Sequence, residues 1–276
     1  MYFLYGVFHL DNDFYNGQYL VLQEPNGTTN VFANDFTAGT VEADNDPALD
    51  SGVGIVVNPF GTGQIVSNTF TLANAGLEIG DGTAVNSNRF KAVMPVVALL
   101  PTDNTQNGLI ANGNQIYDPV AGNYELFDII TGGLQSDSLV GQTTRSNFIS
   151  GGGLADILTG TTQKDVFAYG DPDGSGGDTI NGFTAGADEI WLQKGHYVDA
   201  LSSPLFSRGA LPGANFVNVS DPTASVNASE HLIYVNSGAS SGQLLFDPTG
   251  GDNSDRVLLA TISGNQALTA NDIVVF

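Results

Sequence analysis

Gly132-Gly-Leu-Gln-Ser-Asp137-Ser-Leu139-Val, Gly151-Gly-Gly-Leu-Ala-Asp156-Ile-Leu158-Thr and Gly160-Thr-Thr-Gln-Lys-Asp165-Val-Phe167-Ala are three versions of one nonapeptide. Weaker copies surround them. Gly113-Asn-Gln-Ile-Tyr-Asp118-Pro-Val120-Ala and Asn123-Tyr-Glu-Leu-Phe-Asp128-Ile-Ile130-Thr come before, and Gly141 to Ser150, with Asn147 and Ile149, lies between. Every window places an Asp, once an Asn, two residues ahead of an apolar residue. The period is nine, with one extra residue in two places. A short fixed period is the sequence mark of a stacked repeat architecture.

These windows resemble the RTX, or haemolysin-type, calcium-binding nonapeptide Gly-Gly-x-Gly-x-Asp-x-apolar-x. The resemblance implies a parallel β-roll. In such a roll the first six residues of a window form a turn whose Asp carboxylate and carbonyls grip Ca2+, and the last three form a strand with its apolar residue inward. Two windows make one coil, so alternate windows stack. Asp118, Asp137 and Asp156 would line one edge, and Asp128, Asn147 and Asp165 the other. Ca2+ between stacked turns would cancel a column of like charge. The departures are specific. The fourth-position Gly is Gln135, Leu154 and Gln163, and the second Gly of the last window is Thr161. Turns with positive φ tolerate such residues poorly, so fewer ions than windows are expected, with the Asp137/Asp156 edge the best site. The competing expectation is a roll without metal, whose Asp side chains serve only the hydrogen bonding of their own turns.

The next segment strengthens the likeness. Asp171-Pro-Asp173-Gly-Ser-Gly-Gly-Asp178-Thr-Ile-Asn181-Gly-Phe183 runs on to Asp188-Glu-Ile190-Trp-Leu192 and is similar to the stretch that closes such rolls. Asp171, Asp173, Asp178 and Asp188 join the candidate Ca2+ ligands, while Asn181 stands where an Asp is usual. Residues 199–276 read as further strands, similar to the cap of RTX proteins. The acid and apolar tail Asp272-Ile-Val-Val-Phe276 resembles an uncleaved type I secretion signal. By that likeness the protein is secreted to the extracellular cell surface. The N-terminus carries no basic region ahead of its apolar Met1–Phe8 stretch, unlike an ordinary signal peptide.

Upstream, residues 1–112 alternate β-branched or aromatic runs with turn clusters such as Pro25-Asn-Gly and Gly80-Asp-Gly. They read as a β-sandwich or an irregular β-roll. The whole is therefore all-β in three parts: an N-terminal β domain (1–112), a calcium-binding β-roll (113–190) and a C-terminal β cap with the secretion-signal region (191–276). Composition agrees. The 276 residues include 35 Gly, no Cys, 29 acids and 7 bases, for a net charge of −22. Seven scattered bases leave no footprint for nucleic acid, and no run reaches the roughly 18 apolar residues of a membrane helix.

The three histidines, His9, His196 and His231, form no His-Glu-x-x-His, so the zinc protease that often precedes such rolls is not expected. Gly238-Ala-Ser240-Ser-Gly242 matches a nucleophile elbow in letters but sits between two strands, as a hairpin loop would. Asp11/Asp13 and Asp44/Asp46 lie in turn-rich stretches, and His196-Tyr197 is a weak haem pair. Two function classes remain. One is a structural or adhesive surface protein that assembles with itself into a filament, layer or matrix, with a cell-surface polysaccharide as a candidate partner. The other is a small secreted hydrolase with its active site in the N-terminal region. The lack of a catalytic constellation there favours the first.

Overall fold

The computed structural model describes residues 109–276, apart from 134, 171, 173–176, 199–204, 237, 239, 252 and 265. Within 1–108 it describes the strands and the links at 67–68 and 87–88. Short runs between turn residues cannot reach far, so the chain coils. A first coil holds β1 (Tyr2–Phe3), β2 (Phe8–Leu10) and β3 (Asp13–Tyr15), and a second β4 (Leu20–Leu22), β5 (Thr28–Phe32) and β6 (Asp35–Thr37). A third holds β7 (Val53–Val57), β8 (Thr62–Val66) and β9 (Thr69–Thr71). A fourth holds β10 (Ala75–Ile79), β11 (Thr83–Asn86) and β12 (Arg89–Lys91), and β13 (Met94–Ala98) opens a fifth. Equivalent strands pair in parallel and build three sheets. Of the two forms open for this region, the solenoid is the one observed. A sandwich would have required antiparallel hairpins, and these strands have none.

A hairpin then changes the architecture. β14 (Leu109–Asp118) pairs in parallel with β12 but antiparallel with β15 (Asn123–Thr131). Beyond it each coil has two strands: β16 (Ser138–Val140), β17 (Ser146–Ser150), β18 (Ile157–Thr159), β19 (Asp165–Tyr169), β20 (Asp178–Asn181) and β21 (Glu189–Leu192). This is the parallel β-roll, with β15-β17-β19-β21 on one side and β16-β18-β20 on the other. One 11-stranded sheet runs through both halves, so the 112/113 boundary falls inside β14.

The cap comprises β22 (Gly209–Ala210), β23 (Phe216–Val219), β24 (Leu232–Val235), β25 (Ser241–Phe246), β26 (Val257–Ser263) and β27 (Ile273–Val275). β26 extends the β16-β18-β20 sheet, and β27 lies between β21 and β22. The apolar residue of every window after 113–121 points into the roll, whereas Val120 of that first window is 53% exposed. Ile130, Ile149, Phe167 and Ile190 face Leu139, Leu158 and Ile180, all fully buried. Each such side chain contributes about 1.5–3 kcal/mol by leaving water. In the first half Phe70 and Phe90 stack with ring centroids 5.0 Å apart.

Leu154, at a glycine position of its window, does adopt positive φ (65°) and stands 57% exposed. Leu154→Gly should therefore stabilise the fold by about 1 kcal/mol, read as a higher melting temperature, because it removes strain without emptying any core space.

Candidate metal centre

In both halves, backbone N–H groups at coil turns donate to an Asp or Asn side chain of the next coil, although the Asn147 N–H donates instead to the Lys164 carbonyl. On the β16 side, Asp137 N–H donates to Asp156 Oδ1 (2.7 Å) and Asp156 N–H to Asp178 Oδ1 (2.9 Å). On the β15 side, Asp165 N–H donates to Asp188 Oδ1 (2.9 Å) and Gly186 N–H to Asp272 Oδ1 (2.6 Å). The other oxygen often closes its own turn: Gly133 N–H donates to Asp137 Oδ2, Thr161 N–H to Asp165 Oδ2 and Thr184 N–H to Asp188 Oδ2. Such local bonds suit Asp in turns.

Asp128, Asn147 and Asp165 are in register as expected. The first column needs correction. Because β14 is antiparallel to β15, window 113–121 forms a hairpin rather than a coil. Asp118 closes that hairpin, accepting from Val120 N–H and Ala121 N–H and pairing with Lys164 Nζ at 3.4 Å. The third member of the Asp137/Asp156 column is Asp178. Asp171 and Asp173 lie outside the described residues, as do Asp11, Asp44 and Asp46. Asn181 accepts from the Ser263 hydroxyl.

Charge is handled differently at each edge. On the β15 side Asn147 is the donor between acids. Its Nδ2 reaches Asp165 Oδ1 at 2.6 Å, and its Oδ1 accepts from Gln142 N–H. Arg145 meets Asp128 at 3.2 Å, and Lys164 bridges Glu125, Glu189 and Asp118. Burial alone would lower the Lys164 pKa, but the three carboxylates outweigh it and raise it. The Asp137–Asp156–Asp178 edge has no cation on it among the described residues. Burial pushes Asp156 up to about 6, with its Asp137 N–H bond opposing and the Asp137 charge adding. Burial likewise pushes Asp178 up to about 8, and Asp188 to about 6.

The geometry that fits an ion is at this edge. Asp156 is 2% exposed and its Oδ2 accepts no hydrogen bond. It presses on Gly151, where a Cβ would lie 2.1 Å from it. A Cβ on Gly132 would lie 2.1 Å from the Gly151 carbonyl oxygen and 2.7 Å from Asp137 Oδ2, and one on Gly152 2.2 Å from the Gly133 carbonyl oxygen. Carboxylates and glycine carbonyls thus crowd one neck that only glycine permits. Among the described residues no three acidic or imidazole side chains converge. An ion here would take Asp137 and Asp156 together with backbone carbonyls, the hard oxygen set Ca2+ prefers.

The Asx column does not start at the roll. Asn68 N–H donates to Asn88 Oδ1 (2.9 Å) and Asn88 N–H to Asn114 Oδ1 (3.0 Å), and their Nδ2 groups donate up the same column. All three are fully buried. The sequence carries a signal for them: Asn68-Thr-Phe70, Asn88-Arg-Phe90 and Asn114-Gln-Ile116 share the Asx-x-apolar spacing of the windows. The same spacing occurs at Asn12-Asp-Phe14 and Asn34-Asp-Phe36, though Asn12 and Asn34 lie outside the described residues. A search for Asp alone passes over it.

Other candidates resolve plainly. Ser240 stands between the antiparallel β24 and β25, in a hairpin. Tyr197 is a core residue packed on Phe206 and Phe246. A shallow cleft of about 440 Å³ borders Gly186, Asp188, Glu189, Thr269 and Asp272, but both Asp side chains there are already tied to backbone N–H groups. Compared with known proteins, the chain matches no family model and no curated sequence.

Two outcomes follow from the ladders. Asn88→Ala should cost about 2 kcal/mol or more, since it strands the Asn68 N–H and the Ile65 carbonyl, and the loss in melting temperature should be the same with and without calcium. With chelator present, stability should fall as pH rises from about 4 to about 8. Folded Asp156, Asp178 and Asp188 hold protons that the unfolded chain, with Asp near 3.9, has shed. Asp178→Asn should flatten that slope in urea titrations across pH.

Proposed function

We propose that this chain is a secreted, extracellular β-solenoid stapled by Ca2+, a structural or adhesive surface protein that assembles with copies of itself into a filament, layer or matrix. The observation that carries the calcium reading is the buried Asp156 Oδ2, which accepts no hydrogen bond and lies against Gly151 in the glycine turn stacked on Gly132. A carboxylate oxygen with no donor is costly in a protein interior. A divalent ion satisfies it and neutralises Asp137 and Asp156 together.

Repetition supports a scaffold role, because each coil contacts its neighbours alone and the structure is stiff along one axis. Assembly draws support from the first coil. Tyr2–Phe3 pairs with β4 alone among the described residues, as β2 does with β5 and β3 with β6. Each leaves one backbone edge able to receive a strand from another copy. The export reading draws on the Asp272–Phe276 tail. In the fold Asp272 closes a capping box with Thr269 and Ile273–Val275 is an interior strand. Such a signal is legible to an exporter only while the chain is unfolded.

A second reading has its own observation. Asp156, Asp178 and Asp188 each accept the N–H of the coil before them, which a metal-free ladder would also do. Calcium separates the two. An ion bound by the folded form alone stabilises it by about 2.7 kcal/mol at a hundred times its Kd. Millimolar Ca2+ should therefore raise the melting temperature at pH 7.5, and Asp156→Asn should abolish most of that rise. Identical melting curves in Ca2+ and in excess chelator establish the metal-free ladder. Sizing and electron microscopy in Ca2+, with and without residues 1–15, test assembly: intact monomers that no longer polymerise support docking through the first coil.

A further inference from the structure

Acids outnumber bases 29 to 7, so a base with no acid beside it is an anomaly. Arg145, Lys164 and Arg256 each have a carboxylate within 3.4 Å. Arg89 and Lys91 pair with none among the described residues. They flank the buried Phe90 on β12 and therefore share the solvent face of the 11-stranded sheet. On the next strand Gln115 and Tyr117 flank the buried Ile116, and across the hairpin Tyr124 stands opposite Tyr117 and Leu126 opposite Gln115.

The side chains on this face are held by one another. Arg89 Nε donates to Gln115 Oε1 at 2.8 Å, with its guanidinium 5.6 Å from the centre of the Tyr124 ring. Lys91 Nζ lies 4.4 Å from the centre of the Tyr117 ring, and the two tyrosines meet edge to face at 5.4 Å. Tyrosine faces thus do what carboxylates do for the other bases. The guanidinium is oriented through Nε alone, which leaves its outer fork of N–H donors open to solvent. Leu126, 49% exposed, extends the platform with apolar surface.

We infer that this face binds a carboxylate-bearing glycan, a uronate oligosaccharide. A pre-oriented guanidinium fork matches a carboxylate in two parallel hydrogen bonds, and Lys91 supplies a second charge. Leu126 offers exposed apolar surface against which the C–H face of a sugar ring packs. A net charge of −22 repels a long polyanion, so two cations suit a short oligosaccharide. The inference rests on the extracellular reading only for where such a glycan is met, and it is independent of calcium binding by the roll.

The test is calorimetric titration of the full chain, at fixed millimolar Ca2+, with trigalacturonate, its methyl ester and neutral cellotriose. Saturable binding of trigalacturonate is expected, weakening as salt rises. Arg89→Gln and Lys91→Gln should each weaken it about tenfold at unchanged melting temperature, and Arg89→Lys should restore it only in part. The methyl ester should bind at least about tenfold more weakly. No saturable heat, equal binding of acid and ester, or indifference to both substitutions would overturn the inference. So would polymers that dissolve in Arg89→Gln/Lys91→Gln while the wild-type chain gives no sugar heat, which would assign the face to the acidic surface of a second copy. A failed calcium melt leaves this titration unaffected, so the two readings fail separately.

Discussion

The Asx side chain that accepts a backbone N–H from the neighbouring coil is the bond on which the rest of this structure depends. Strands of three to five residues leave much of each coil in turns, where backbone donors have no sheet partner. Buried donors left unpaired would cost more than such short strands return. Asn88, Asp156 and Asp188 each close that gap from one coil to another. Because the acceptor comes from the following coil, the bond also fixes register. The apolar residue two places on, Phe90, Leu158 or Ile190, is thereby aimed inward.

The same bond has different electrical consequences in the two halves. An amide can accept from one neighbour and donate to the next, so Asn68, Asn88 and Asn114 form a neutral chain. A carboxylate can only accept. Stacked carboxylates repel, and burial worsens the repulsion by weakening screening. The β15 edge answers with Asn147, Arg145 and Lys164. The Asp137–Asp156–Asp178 edge has no cation among the described residues, and burial there pushes Asp156 up to about 6 and Asp178 up to about 8. Sensitivity to pH thus belongs to the charged second half, where burial raises Asp188 on the β15 edge as well as Asp156 and Asp178 on the other.

The period of nine made the roll, its inward residues and most of its acids legible, because in each window the Asx-x-apolar triplet is contiguous. Asp118 misled because a window has no way to declare strand direction. Asp118-Pro-Val120 has the same letters whether it opens a coil or closes a hairpin, and the decision lies in the long-range pairing of β14 with β15. The first half was harder for another reason. Its repeat ranges from 20 residues (Phe70 to Phe90) to 34 (Phe36 to Phe70), and the Asx position of its triplets is an uncharged Asn that a search for acids misses. Arg89 and Lys91 are plain in the sequence as two bases, yet that neither has an acid partner among the described residues appears only when the sheet sets them over Tyr124 and Tyr117.

Partners in the ladder are 20 residues apart at Asn68 and Asn88, 19 at Asp137 and Asp156, and 22 at Asp156 and Asp178. Each coil therefore asks only that the coils beside it carry the same triplet. Duplicating one whole coil on either side of the β14–β15 hairpin lengthens the rod and leaves every other bond as it was. Gaining a single residue inside a triplet turns an inward side chain outward and breaks two rungs at once. The gene behind such a chain can thus grow or shrink in whole coils but scarcely by single codons within a rung, and loops between rungs are where smaller changes in length are absorbed.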